Sequence, residues 1–282
     1  MGSRTENNGR AASLKLGNII YSNCFPVHAR LIHQPAPEDP TLLDGVPSRL
    51  NHLLREGTID VAPSSSIEYA LNADRYRILP DLVIGSRGPV RSILFLSNQH
   101  PSELDGELVA VPTASATSVV LLKILLALRW GVKARFHWFD QAAEDPFATD
   151  GIGATAALFI GDVALNPSLR PELPVRLDLG AEWMAHTGLP FAFAVWQTTA
   201  GSGQEGLNGS EDGSDRSSTQ ASALRELRGI LLNSRDYGTR ERTALAAHYA
   251  GHFGMDAAFL ESYWAGLSFD LDADMIRGLE KY

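Results

Sequence analysis

The chain has 282 residues, of which 44% are hydrophobic and 20% charged, and its formal net charge is −9. This length suits one large α/β domain or two lobes. The negative charge and the lack of a basic stripe exclude a typical nucleic-acid-binding protein. Cys24 is the single cysteine, so no intrachain disulfide can form, which fits a reducing compartment.

The N-terminal segment MGSRTENNGRAAS lacks the apolar core of a secretory signal, and no apolar run approaches the length of a membrane span. We therefore expect a cytoplasmic protein without membrane contact. Residues 1–13 are polar and are predicted to be disordered.

Strand and helix patterns alternate from residue 15 onwards. A strand is predicted over 15–22, followed by a helix from about Pro26 and a loop over 35–40. VPSRLNHLLREG has the spacing of an amphipathic helix, and IDVAP reads as a buried strand. ILPDLVIGSRGPVRSILFLSN contains two predicted strands on either side of Gly88 and Pro89.

The alternation continues through the middle of the chain. The predicted strand LDGELVAVP leads into a long helix over 117–130, and further strands are ARFHWF, AALFIG and VRLDLG. WMAHTGLPFAFAVWQT contains a helix, a turn and an apolar strand. This order favours parallel sheets. Residues 201–220 are rich in Gly, Ser and acidic side chains and are predicted to be a disordered surface insertion, after which helical patterns resume at Ala221.

One local pattern occurs four times: an apolar strand ends in small polar residues or glycine where a helix begins. The four segments are LKLGNIIYSNCFPVHARLI, IDVAPSSSIEYALNA, ELVAVPTASATSVVLLKILLALRWG and AALFIGDVALNP. Free backbone N–H groups and the helix dipole both favour negative charge at such a point. The repetition predicts a cleft for a small acid with more than one carboxylate.

Several segments together resemble the chorismate dehydratase family of the futalosine route to menaquinone. They cover most of residues 15–198 and include IIYSNCFPV, VPSRLNHLLREGTIDVAPSSSIEYA, LPDLVIGSRGPVRSILFLS, LDGELVAVPTASATSVVLLKILL, LFIGDVAL and LDLGAEWMAHTGLPFAFAVW. The resemblance implies an α/β fold of the periplasmic-binding-protein type 2 kind, with two lobes and a ligand cleft between them. One lobe would comprise residues 14–95 and 197–282, and the other residues 96–196.

The family reaction removes water from chorismate and yields 3-[(1-carboxyvinyl)oxy]benzoate. A proton leaves ring carbon C3 and the hydroxyl leaves C4, so the ring becomes aromatic. Aromatisation makes the reaction downhill, and the resemblance therefore implies no metal and no redox cofactor. The partner would be the small-molecule substrate alone. Holding it in one reactive conformer is part of the enzyme's task.

The resemblance assigns catalytic roles to Asn23 and Ser92. Asn23 follows the first strand, where its amide can donate to a carboxylate or to the leaving hydroxyl, although asparagine is also a favoured helix cap. Ser92 follows Gly88-Pro89-Val90-Arg91, and its hydroxyl can bind the leaving oxygen or developing charge. Arg87 and Arg91 beside it could neutralise a substrate carboxylate, but arginine on a polar loop is usually solvated.

Further residues are predicted to bind the substrate at the helix starts and near the cleft mouth. Their hydroxyl groups, backbone amides or ring would contact the ligand, and simple capping or core packing is the alternative for each. These residues are Ser65, Ser66, Ser115, Thr117, Ser118, Gly161, Asp162 and Phe191.

No motif position is an obvious general base. Asp162 and Glu68 are the acidic candidates, but helix capping explains both. We therefore hypothesise that a carboxylate of the substrate takes the C3 proton. Cys24 is read as a small buried or site-lining residue, and the i, i+4 pair His248 and His252 has no third ligand pattern that would indicate zinc.

Two alternatives remain at this point. The first is the 1,4-dihydroxy-6-naphthoate synthase of the same route. The Gly-Pro-Val-Arg-Ser segment and the run TGLPFAFAVW favour the dehydratase over this synthase. The second is a non-catalytic small-acid binding protein of the same fold, because fold does not determine function. The absence of an export signal argues against that second alternative.

Overall fold

The structure is a computed structural model that describes residues 10–200 and 215–282. Residues 1–9 and 201–214, which hold most of the two segments predicted to be disordered, lie outside this description. The strands, in chain order, are β1 (Lys15–Ile19), β2 (Thr41–Gly45), β3 (Val61–Ser65), β4 (Tyr76–Ser86), β5 (Ile93–Ser97), β6 (Leu108–Pro112), β7 (Arg135–Phe139), β8 (Ala156–Ile160), β9 (Val175–Asp178) and β10 (Phe191–Thr199).

The α-helices connect these strands and then form a group of their own at the C-terminal end. They are α1 (Phe25–His33), α2 (Pro47–Arg55), α3 (Ser66–Leu71), α4 (Ala116–Leu128), α5 (Gly161–Leu165), α6 (Leu179–Thr187), α7 (Asp215–Arg240), α8 (Arg242–Phe253), α9 (Ala257–Ala265) and α10 (Ala273–Lys281). No helix of the residues described is long and apolar enough to span a membrane.

The strands form two five-stranded sheets of the same design. The first has the order β2-β1-β3-β10-β4, and the second has the order β7-β6-β8-β5-β9. In each sheet three parallel neighbours are followed by one strand that runs antiparallel to both of its partners, β10 in the first sheet and β5 in the second. These mixed sheets confirm the predicted α/β fold class.

The chain changes sheet twice, slightly earlier than the predicted boundaries at residues 95 and 196. β5 pairs only within the second sheet and β10 only within the first, so the changes fall in residues 87–92 and 179–190. The first change falls at Gly88 and Pro89, where a φ of +131° and the missing proline N–H end strand pairing.

Helix α7 begins before the predicted position. Residues 215–220 are helical, although they belong to the segment predicted to be disordered. The polar composition of this first turn and a half hides its continuity with a buried apolar face that includes Ala221, Leu224 and Leu227. Burial of that face stabilises the helix far more than local propensity does. At the other end of the chain, residues 10–13 form a short 3₁₀ turn rather than a disordered segment.

Helices α7 to α10 cover the first sheet and contact both segments in which the chain changes sheet, residues 87–92 and 179–190. The α7 backbone at Gly238 lies so close to α1 that a Cβ there would be 2.1 Å from the Pro26 carbonyl oxygen. Helix α9 sends Tyr263 and Trp264 towards the region between the two sheets, where both are buried. The C-terminal helices therefore form part of the structure that surrounds the cleft.

Candidate active site

A narrow cavity of about 50 Å³ lies between the two sheets. Both sheets and their connections contribute its walls, which are apolar or neutral and polar. They are Ile19, Tyr21, Asn23, Pro47, Ser65, Ile84, Ser92, Ile93, Ser115, Ser118, Ile160, Gly161, Phe193 and Ala194. Among these lining residues there is no Asp, Glu, His, Lys or Arg. The cavity can therefore offer hydrogen bonds to a ligand without a charged side chain in direct contact.

The four strand-to-helix connections singled out in the sequence meet at this cavity. The first connection contributes Asn23, the second Ser65, the third Ser115 and Ser118, and the fourth Gly161. Each follows a buried strand, β1, β3, β6 or β8, and precedes helix α1, α3, α4 or α5. Because these strands are parallel within their sheets, their carboxyl ends lie along one edge of each sheet. The two edges face one another across the cavity.

Asn23 offers its side chain to the cavity rather than to a helix. Helix α1 has Cys24 as its N-cap residue, with no side-chain capping bond, so Asn23 does not cap it. The Asn23 Oδ1 atom is buried and has no hydrogen-bond partner within the part of the chain described. A buried, unpaired amide oxygen costs free energy unless a ligand or water satisfies it. This atom is therefore positioned to accept a hydrogen bond from a hydroxyl group in the cavity.

Ser92 is held in place by its backbone. The Ser92 carbonyl oxygen accepts a hydrogen bond from Gly161 N at 2.8 Å. The preceding residue, Arg91, has a φ of +66°, an uncommon conformation for a residue with a side chain. Asp178 stabilises it by accepting from Val90 N at 3.0 Å and from Arg91 N at 2.5 Å. These contacts present the Ser92 side chain to the cavity.

The other lining serines belong to small hydrogen-bond groups. Ser115 caps helix α4 by accepting from Ser118 N at 3.3 Å, and its hydroxyl lies 3.0 Å from Ser118 Oγ. Ser65 Oγ accepts from Asn51 Nδ2 at 2.9 Å. Hydroxyl groups both donate and accept, so each can still bind a ligand oxygen. The geometry at the start of α4 therefore allows the same serines to cap the helix and to bind a ligand, the two roles that the sequence left open.

Three predicted binding residues have partners elsewhere and do not line the cavity. Ser66 Oγ donates to the Ala192 carbonyl oxygen at 2.6 Å, and Thr117 Oγ1 accepts from Ile67 N at 3.3 Å. Phe191 is buried among Trp183, Phe193 and Tyr282. These side chains stabilise the walls behind the cavity, because strand and helix packing turns them away from it.

Asp162 is the fourth such residue, and it joins the two halves of the molecule. Its carboxylate accepts from Ser22 N at 3.2 Å and from Ser22 Oγ at 2.5 Å. The Ser22 carbonyl oxygen in turn accepts from Trp264 Nε1 at 2.8 Å. Burial raises the pKa of Asp162, and the hydrogen bonds from Ser22 oppose that shift. Asp162 therefore connects α5 to the loop that carries Asn23.

The charged candidates named from the sequence are engaged away from the cavity. Glu68 accepts from Arg55 at 3.0 Å and from the Tyr76 hydroxyl at 3.1 Å. Arg87 pairs with Asp272, and the Arg91 guanidinium lies 4.5 Å from the centre of the Phe259 ring. None of these groups contacts the cavity.

Cys24 and His28 are buried beneath the Asn23 loop. Burial raises the pKa of the Cys24 thiol to about 12 and lowers the pKa of His28 to about 3, so both are neutral near pH 7. His28 Nε2 accepts from Trp196 Nε1 at 3.3 Å, and its Nδ1 lies 2.8 Å from Asn18 Oδ1. This neutral network stabilises the first sheet. Of the two readings of Cys24 made from the sequence, buried or site-lining, the structure supports the buried one.

Sequence reasoning missed two residues that support Ser92. Tyr263 on α9 places its hydroxyl 2.8 Å from Ser92 Oγ, and Asp178 on β9 binds the backbone just before it. A Tyr in a helix and an Asp before one carry no local signal of such contacts. No group of three His, Cys, Asp or Glu side chains able to hold a metal ion occurs among the residues described, and His248 and His252 form no such group.

The paired mixed sheets and the cleft between them define a class, the proteins with the periplasmic-binding-protein fold. A Candida albicans gene product, described as having the generic form of that fold, superposes with a TM-score of 0.64 at 11% identity, over 95% of this chain and 88% of its own. The family model for menaquinone biosynthesis matches residues 14–282, and the chain belongs to that family.

Two curated relatives are named chorismate dehydratase. The one from Thermus thermophilus is 36% identical over 197 residues, which cover 64% of this chain and 68% of the relative. The one from Campylobacter jejuni is 32% identical over 182 residues, which cover 63% of this chain and 64% of the relative. Each alignment thus spans about two thirds of the relative. The family resemblance predicted from the motifs is confirmed.

Proposed function

We propose that this chain is a chorismate dehydratase, a hydro-lyase that converts chorismate to 3-[(1-carboxyvinyl)oxy]benzoate and water. Support comes from the family and from two relatives that carry this name. The strongest structural support for the proposal is the set of residues that line the cavity. It combines Asn23, whose Oδ1 has no partner in the described chain, with Ser92 and three further serines.

The chemistry needs a proton removed from C3 and a hydroxide lost from C4. The lining residues include no carboxylate or imidazole that could act as the base. We therefore assign the base to a carboxylate of chorismate itself, which receives the C3 proton while the C4–O bond breaks. Asn23 and Ser92 would orient the two reacting groups and donate hydrogen bonds to the departing oxygen.

Neutral donors suit a dianionic substrate of this kind. Ser65 would bind it from the first sheet, while Ser115, Ser118 and the backbone at Gly161 would bind it from the second. The cavity lies in the narrow gap between the two sheets, so we expect the sheets to separate when chorismate enters. We accordingly assign the sheets to two hinged lobes, with the crossings at residues 87–92 and 179–190 as hinges. The reaction would proceed without a bound cofactor, in the reducing compartment that a lone cysteine suits.

The test is to incubate the purified protein with chorismate and to identify the products by liquid chromatography and mass spectrometry. A product lighter than chorismate by one water, formed over many turnovers, is expected. Asn23→Ala and Ser92→Ala should each lower kcat by about 10²-fold or more, as removal of an oxyanion-type donor does. Ser168→Ala, at an exposed serine, is the control and should retain full activity.

Unchanged chorismate in the presence of folded protein would contradict the proposal. Binding of chorismate without turnover would then favour a small-acid binding protein. Absence of binding would favour the naphthoate synthase alternative, which is tested with the substrate of that reaction.

A further inference from the structure

The Ser92 side chain is supported from behind by Tyr263. The two residues are separated by 171 positions in the chain, yet the Tyr263 hydroxyl lies 2.8 Å from Ser92 Oγ. Both are 1% exposed. Tyr263 does not line the cavity, whereas Ser92 does. The phenol therefore occupies the position immediately behind a cavity hydroxyl.

The direction of this hydrogen bond follows from the phenol's surroundings. Ser92 Oγ is the hydrogen-bond partner found for the Tyr263 hydroxyl in the described part of the chain. If Ser92 donated to Tyr263, the phenolic hydrogen would be buried without an acceptor, at a substantial cost. Tyr263 is therefore the donor. Burial raises the pKa of Tyr263, so the phenol keeps its proton throughout the neutral pH range.

The rest of Ser92 has little freedom. Its carbonyl oxygen is bound by Gly161 N, and the amides of the two preceding residues are bound by Asp178. With the backbone fixed and Oγ held by Tyr263, the remaining freedom is rotation of the hydroxyl hydrogen about the Cβ–Oγ bond. A donor that occupies one lone pair of Oγ from behind leaves the Ser92 hydrogen to point elsewhere, and the open direction is the cavity. A hydroxyl that accepts one hydrogen bond is also a stronger donor in the next.

We propose that Tyr263 is a positioning residue that makes Ser92 a directed hydrogen-bond donor to a hydroxyl or carboxylate oxygen of the substrate. The inference rests on the proposed function, because it assumes that Ser92 contacts the substrate. It adds a residue on helix α9 to a site whose predicted residues come from the four strand-to-helix connections and from the segments at Ser92 and Phe191. The C-terminal helices thereby take part in the chemistry without touching the substrate.

The test is a double-mutant cycle of Tyr263→Phe and Ser92→Ala. Tyr263→Phe removes the phenolic hydroxyl and keeps the ring, so kcat/KM should fall about three- to tenfold, the effect of one lost hydrogen bond. In the Ser92→Ala background the same substitution should change kcat/KM by less than roughly twofold, because the two residues act as one unit. A purely structural role would lower kcat/KM by the same factor in both backgrounds.

Tyr76→Phe is the matched control. Tyr76 is also buried, and its hydroxyl also bonds a side chain, Glu68, but neither residue lines the cavity. Its effect on kcat/KM should be small and equal in both backgrounds. Circular dichroism and thermal unfolding of all variants verify that each is folded.

The outcomes separate this inference from the proposed function. Turnover by the wild type with equal effects of Tyr263→Phe in both backgrounds, or with no effect, overturns the inference and leaves the dehydratase assignment intact. If the wild type binds chorismate without turnover, the function fails, and the same cycle is measured on chorismate dissociation constants. Those constants also complete the cycle where Ser92→Ala leaves too little turnover to measure. A wild type that neither converts nor binds chorismate overturns both.

Discussion

Individual side chains at the cavity divide into those that line it, which we propose contact the substrate, and those that hold the walls. Asn23 and Ser92 belong to the first group by position, and Ser92 is fixed by Asp178. Asp162 belongs to the second, because both of its oxygens face Ser22 across the cleft. A carboxylate engaged in this way is a poor base, since proton transfer would break the contacts that hold it. The engagement of Asp162 with Ser22 thus favours a base supplied by the substrate.

Asp162→Asn tests that conclusion. The amide oxygen still accepts from Ser22, so the wall is conserved while the basic group is lost. We expect kcat to stay within about tenfold of the wild type, whereas loss of a general base costs about 10²- to 10⁴-fold. Steady-state kinetics with chorismate provide the measurement. A fall of the larger size would make Asp162 the base and would refute substrate assistance.

The same variant also has a signature in the pH dependence of stability. Burial raises the folded-state pKa of Asp162 above its unfolded value, so between these two values the folded protein binds more protons. Its contribution to the free energy of unfolding is complete below the unfolded pKa of about 3.9 and is lost as the pH rises through the folded pKa. The stability of Asp162→Asn relative to the wild type should therefore increase from pH 4 to pH 7 in urea titrations. Burial also raises the pKa of Asp178, but this residue is present in both proteins, so its effect cancels in the stability difference.

Whole elements approach each other closely where small residues allow it. Helix α7 touches the start of α1 at Gly238, and the N–H of Arg30 donates to Ser234 Oγ at 3.0 Å along the same interface. Helix α10 approaches the turn before β10 in the same way at Gly278, where a Cβ would lie 2.0 Å from the Pro190 carbonyl oxygen. These contacts seat the C-terminal helices on the first sheet. Helix α9, which carries Tyr263, belongs to the same group.

Two glycines of helix α7 give opposite predictions. Gly238→Ala should destabilise the protein by about 1–3 kcal/mol, because a Cβ beside the Pro26 carbonyl forces the helices apart. Among the residues described, no atom outside the neighbouring backbone of α7 lies within 4 Å of a Cβ placed on Gly229, so Gly229→Ala should stabilise by roughly 0.5–1 kcal/mol through helix propensity alone. Urea unfolding of both variants makes the comparison. Similar effects of the two substitutions would contradict the close α1–α7 contact.

The molecule as a whole consists of two sheets that face each other across a narrow cavity. Contacts between the two sides include Asp162 with Ser22, and the Tyr21 ring against Gly161. Gly161 has a φ of +62°, and a Cβ there would lie 3.2 Å from Tyr21 Cγ. A side chain at the start of α5 would therefore crowd the Tyr21 ring on the opposite side of the cavity.

Gly161→Ala should shift the molecule towards an open form. The added methyl group crowds Tyr21 from the opposite side, so affinity for chorismate should fall and the radius of gyration from small-angle X-ray scattering should rise. Gly188→Ala is the control, since Gly188 has a similar φ of +72° but no atom within 4 Å of its potential Cβ. It should lower stability by roughly 1 kcal/mol through backbone strain and leave affinity unchanged. Equal loss of affinity in both variants would contradict the role of Gly161 in closure.

Much of this architecture can be predicted from local sequence patterns. The break at Gly88 and Pro89, the amphipathic α2 and the start of α4 near Thr117 follow from backbone and periodicity rules that act over a few residues. Strand β2 was missed because its short segment has a mostly half-buried pattern at the edge of the sheet. The start of α7 was missed because its first residues are polar and its stabilising contacts come later in the helix.

The sequence alone determined the family, the α/β class and the four connections that surround the cavity, because each depends on residues close together in the chain. Tertiary structure alone decided which side chains of those connections face the cavity. Ser65 faces it and Ser66 does not; Ser118 faces it and Thr117 does not. It also brought Tyr263 to Ser92 and Asp178 to Arg91. Such choices depend on packing between segments that are remote in sequence, and a local pattern holds no information about that packing.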